Sequence, residues 1–173
     1  MMRKTLQSLL AVAALAALLA PFGASAAEAR WRVVGYYTSI DQKPAGDVEG
    51  HVTATFKRHG LCFLPKEVGV YESSGDFEAT KGKGSGTQTF TCTFDDGSSF
   101  TVKGKYNLEP LPNNLIRLTG GHGEFVAGTG RFEGVKGTAS FTGRTYAPVD
   151  DVTKGDLLLN GVSQYTVSAS QKP

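Results

Sequence analysis

The chain predicts an all-β fold: a single antiparallel eight-stranded barrel preceded by an N-terminal leader. Three observations carry this expectation. Gln88-Thr89-Phe90-Thr91-Cys92-Thr93-Phe94 alternates polar and apolar residues strictly, Asp95-Asp96-Gly97 supplies a turn, and Phe100 to Tyr106 alternates back. Elsewhere, turn residues recur at short and fairly even spacing, and no stretch sustains a helical period. Finally, a meander of this length leaves exposed edges unless it closes, and closure makes a barrel. A two-sheet sandwich is the alternative arrangement of the same strands.

Each element has its own signal. Residues 31–39 and 50–57 are rich in β-branched and aromatic types. Leu61 to Leu64 and Val68 to Glu72 read as two shorter apolar strands separated by Pro65. Gly82, Gly84 and Gly86 mark a hairpin tip before the strand that carries Phe90 and Phe94. Pro110-Leu111-Pro112-Asn113-Asn114 forces a loop. Leu115 to Thr119 is a further strand, Glu124 to Ala127 extends the sheet, and a glycine run then turns the chain. Thr138 to Tyr146 and Asp156 to Val167 complete a set of eight or nine strands, with no linker or internal duplication.

The first 26 residues are a separate matter. Arg3 and Lys4 precede an apolar run from about Leu9 to Ala20, Pro21 breaks it, and Ala24-Ser25-Ala26 offers small residues for cleavage. This is the pattern of a secretory signal peptide, with an apolar run too short for a comfortable membrane span. The expected organisation is therefore a leader over 1–26 and one barrel domain over 27–173, exported to the periplasm or beyond and free of the membrane once cleaved. Cleavage removes two basic residues from the 18 Lys+Arg and none of the 16 Asp+Glu, leaving sixteen of each. A neutral surface has no long-range field to gather phosphate polymers, so nucleic acid is not an expected partner. Cys62 and Cys92, the only cysteines, are expected to pair in an oxidising compartment.

The most distinctive stretch is Gly128-Thr129-Gly130-Arg131-Phe132-Glu133-Gly134-Val135-Lys136-Gly137. It resembles the Gly-x-Gly-x-Phe-Glu-Gly-x-x-Gly run of the allene oxide cyclase family, and less closely that of the dirigent proteins. The resemblance implies a calycin-like eight-stranded barrel in a bacterial exported member of that family. It also implies a cavity, since the plant cyclases hold a reactive fatty-acid epoxide and use a glutamate on an early strand. The first strand here, Trp31 to Ser39, has no acidic residue for that role. Gly60-Leu61-Cys62 is similar to a cysteine-containing tripeptide of the cyclases, but Cys62 is expected to be oxidised. The pocket aspartates of the dirigent proteins find no match. No catalytic residue carries over.

Other chemistry is thinly supported. Gly128-x-Gly130-x-x-Glu133 lacks the third glycine of a dinucleotide fingerprint, and Gly82-x-Gly84-x-Gly86 lacks the ending of a phosphate loop. His51, His59 and His122 are not spaced to present two nitrogens to one metal, so neither a metal nor a cofactor is expected. His122 and Glu124 could form an acid–base pair on a loop, or be solvated. The expected function is the binding of a small hydrophobic or aromatic ligand. Phe90, Phe94, Phe100, Tyr106, Phe141 and Tyr165 are the candidate lining, and Arg144 is a candidate for an anionic head group at the mouth. Two alternatives stand beside it: a cyclase or isomerase acting on a reactive lipid or phenolic intermediate, and a protein-interaction barrel or inhibitor acting through residues 108–123. Oligomeric state is left open.

Overall fold

A computed structural model describes residues 27–46, 48–147 and 156–167; the expected leader lies outside them. Eight strands run in chain order: β1 (Ala27–Pro44), β2 (His51–Leu64), β3 (Glu67–Thr80), β4 (Lys83–Phe94), β5 (Ser99–Leu111), β6 (Leu115–Thr129), β7 (Lys136–Thr145) and β8 (Asp156–Thr166). Every neighbouring pair is antiparallel, and β8 pairs back onto β1, for example Trp31 opposite Gly161, so the barrel is closed. The all-β barrel expected from alternation and turn spacing is the fold observed. Segments read as separate strands are continuous in two places: 50–57 joins 61–64 as β2, and Leu115–Thr119 joins Glu124–Ala127 as β6. Glycines stand at both junctions, Gly60 in β2 and Gly120 with Gly121 in β6. Gly120 takes φ +57° beside a register shift between β6 and β7, and the sheet continues through it.

The 22 glycines of this chain owe much to packing. An eight-stranded barrel is just wide enough for side chains to fill it or for one small ligand to enter. A ring can be seated where the residue opposite has none. Trp31 lies against Gly161, where an added Cβ would come within 2.2 Å of the indole, and Tyr106 lies against Gly86. Large-against-glycine pairing lets Trp31, Tyr71, Phe90 and Phe141 share one layer at interior density.

The glycine run closes one end. Gly130 (φ +57°) opens a single 3-10 turn, Gly130–Phe132, and Gly137 (φ +144°) returns the chain to β7. The turn drives Phe132 into the interior against Phe94 and Phe100, with ring centroids 5.6 and 5.2 Å apart. Arg131 lies over Phe94 and Phe132 at 4.9 Å and pairs with Glu67 and, at 3.2 Å, with Asp96. It thus ties the β2–β3 and β4–β5 turns to the plug.

The Ser98 backbone N–H donates to Asp96 Oδ1 at 2.9 Å and, with Arg131, holds this carboxyl below its usual range. A depressed folded pKa contributes stability above the unfolded value near ~4 that is lost as pH falls through the folded one. Melting of the wild type and of Asp96→Asn should therefore differ at pH 6 and converge in acid, once the pH has fallen below the folded value. A gap that persists unchanged in acid would assign the effect to something other than the carboxylate.

A buried arginine beneath an open cavity

Strand phase decides which side chains of β2 enter the barrel. Ala54, Phe56, Arg58 and Cys62 are buried, while Thr53, Thr55, Lys57 and Leu61 face solvent. Cys62 is joined to Cys92 with the Cα atoms 6.2 Å apart, linking β2 to β4 across β3 inside the barrel. Arg58 shares this inward phase and is 3 % exposed.

Its surroundings are aromatic and neutral. The guanidinium lies 3.9 Å from the Phe56 ring centroid and 4.4 Å from that of Tyr37. Nη2 donates to the Tyr37 hydroxyl and Nη1 to Gln88 Oε1 at 3.3 Å. Beside it, the Tyr71 hydroxyl donates to Ser73 Oγ at 2.8 Å. None of the ion pairs among the described residues includes Arg58. Arg58 Nε and Gln88 Nε2 find no acceptor among those residues.

Burial pulls the guanidinium pKa down, but the hydroxyls of Tyr37, Tyr106 and Tyr71 outweigh it and the group stays protonated. Burial pushes the Tyr71 and Tyr106 hydroxyls up, against the opposing pull of Arg58, so both are neutral. Among the described residues the interior therefore carries a positive charge with no matching negative one. Ionic groups are rarely left in that condition without a partner, because desolvating a charge is costly.

Above this layer the barrel opens into a cavity of about 350 Å³, at the end opposite the Phe132 plug. Tyr37, Arg58 and Tyr106 line it together with Val52, Phe77, Ala79, Leu108, Ile116 and Leu118. Gln42, Lys81 and Asn114 add polar groups, and among the described residues no Asp or Glu lines it. Enclosed apolar walls with a few convergent polar groups are the usual form of a small-molecule site. A larger hollow of about 910 Å³ lies on the outer wall, where Arg30, Arg32, Val34, Thr142 and Asn160 face solvent.

Of the residues proposed from sequence to meet a ligand, Tyr106 lines this cavity. Phe90, Phe94, Phe100 and Phe141 pack in the closed half, and Tyr165 is half-buried against Phe125. Thr145 takes the inward phase of β7, so Arg144 points outward and lies 4.8 Å over the Tyr146 ring, away from the cavity lining. His122 and Glu124 also face solvent. Residues 108–123 are not a surface loop. They are the paired ends of β5 and β6 joined by Pro112-Asn113-Asn114, with both asparagines at positive φ. Among the described residues no group of three His, Cys, Asp or Glu could hold a metal.

Arg58 and Gln88 were missed from sequence because a charged or amide residue in a strand reads as its solvated face. A signal was present. Counting back by twos from Cys62 gives Gly60 and Arg58, and Gln88 shares the face of Phe90, Cys92 and Phe94.

No protein-family model matches the chain, and no curated protein does. Among solved structures it is similar to the pterocarpan synthase dirigent protein GePTS1, at 12 % identity and a TM-score of 0.45 over 84 % of this chain and 90 % of that one. It is similar also to the pterocarpan synthase dirigent protein PsPTS1, at 14 % identity and a TM-score of 0.44 over 84 % and 96 %. Likeness at this level transfers no ligand or activity. The allene oxide cyclase resemblance rests on the sequence alone.

Proposed function

We propose that the protein is an exported binding barrel that takes one small, largely apolar molecule into the cavity above Arg58. The observation that carries this reading is the asymmetry of the interior. One half is filled by Phe90, Phe94, Phe100 and Phe132, while the other keeps about 350 Å³ inside apolar walls. The Cys62–Cys92 bond fits an oxidising compartment, and export would follow from cleavage of the leader after Ala26. The inward ionisable groups favour holding over proton transfer, because a guanidinium cannot act as a base near neutral pH.

Calorimetric titration with octanol is expected to show one saturable site per chain. Val52→Trp, which places an indole in the cavity at a half-buried position, should abolish it without lowering the melting temperature by more than a few degrees. Octanol binding that is absent in the wild type, or unaltered in Val52→Trp, would remove the cavity from consideration. N-terminal sequencing of protein recovered from outside the cytoplasm should begin at Ala27.

A further inference from the structure

We infer that the natural ligand is an anion: an apolar body ending in a carboxylate, which enters head first and pairs with Arg58. This rests on the cavity reading above and adds to it the chemical class of the molecule. Three independent features of the site point the same way.

The first is charge. Arg58 is a cation almost wholly removed from water, with no carboxylate among the described residues paired to it and only the Tyr37 hydroxyl, Gln88 and two ring faces as direct company. The second is donor count. A guanidinium has five N–H donors in a rigid fork, and here Nε finds no acceptor among the described residues. A planar carboxylate is the acceptor that such a fork engages with two parallel bonds. The third is the wall. It is apolar above the guanidinium, and none of its described lining residues is an Asp or Glu that would repel an anion; Lys81 at the rim is paired with Glu49 at 3.9 Å. A neutral ligand would use the apolar wall and leave the charge uncompensated, and a cation would oppose it.

The reading makes a prediction that runs against ordinary solubility. An apolar cavity without a charge reader prefers an alcohol to the corresponding carboxylate, because ionised oxygen is costly to desolvate. Titration of the wild type at pH 7.5 with octanoate, octanol and octylammonium should give the order octanoate, octanol, octylammonium. Octanoate is expected to bind about tenfold to a hundredfold tighter than octanol, the range for a charge-assisted pair. Arg58→Met should reverse the first two, whereas Lys103→Met, on the outer face of β5, should preserve the order.

The outcomes separate cleanly. Octanol that binds in the cavity with octanoate no tighter overturns the anion inference and leaves the binding barrel standing. Failure of all three probes to bind overturns both. Because the decisive comparison is made on the unaltered chain, it does not depend on Arg58→Met folding. If that variant folds and octanoate keeps its advantage, Arg58 is not the reader and the inference falls.

Discussion

Phe90→Ala is expected to lower the stability of the barrel by about 3–5 kcal/mol, the largest effect of any single truncation proposed for this protein. The ring is 1 % exposed and sits at the centre of the packed half, 5.3 Å from Trp31, 5.9 Å from Tyr71 and 6.5 Å from Phe100 by centroid. The cost of a large-to-small change depends on how far the surroundings can relax into the space. Here they are held by a closed ring of strand pairs, so β4 cannot move inward without breaking its ladders to β3 and β5. The upper part of the range is expected for that reason, with melting depressed by roughly 10–15 °C in a domain of this size. Denaturant unfolding under non-reducing conditions measures it. A loss below about 1 kcal/mol would mean that the ring borders open space, and would return Phe90 to the candidate ligand lining.

Replacing both cysteines, as Cys62→Ala with Cys92→Ala, should cost about 3–4 kcal/mol in the chain-entropy account. The bond closes a loop with a sequence separation of 30, and the entropy removed from the unfolded chain grows with the logarithm of that length. Both sulfurs are buried at 2 % exposure, so the double variant also loses packing. Melting about 10 °C lower is expected. Burial has a second effect, on access: a thiol reductant should leave the bond intact in the native protein and cleave it once denaturant opens the barrel. Rapid reduction without denaturant, or a double variant as stable as the wild type, would show that the bond is not a staple.

Much of this architecture could be read from residue order, and the unread part has a physical cause. Asp95-Asp96-Gly97 and the alternation on either side of it define the β4–β5 hairpin, because a period of two and a glycine turn are local properties. The pairing of Cys62 with Cys92 followed from there being two cysteines and an expected oxidising compartment. Arg58 was not legible from its own neighbourhood, since Lys57-Arg58-His59 looks like a solvated charge run. Only its phase relative to Cys62 reveals it, and that phase acquires meaning once the disulfide is known to lie inside. The cavity was less legible still. It exists because the residues facing inward near one end, such as Ala54, Ala79 and Thr145, are small, while Phe94, Phe100 and Phe132 crowd the other. Space of that kind is the remainder after all eight strands have contributed their volumes, and no single strand displays it.

The plug that Phe132 forms with Phe94 and Phe100 makes the barrel a cup and not a conduit. Whatever enters must leave by the same door, and it leaves in reverse, tail leading and head group last. Arrival and departure are then coupled to the one end at which Gln42, Lys81 and Asn114 line the cavity. A guest cannot be passed straight through from a donor on one side to an acceptor on the other. Delivery requires either that the guest escape into solvent or that the receiving partner face the same rim that the supplier faced. The two encounters must follow one another in time, and the glycine-rich turn at the far end fixes that order of events while never touching the guest.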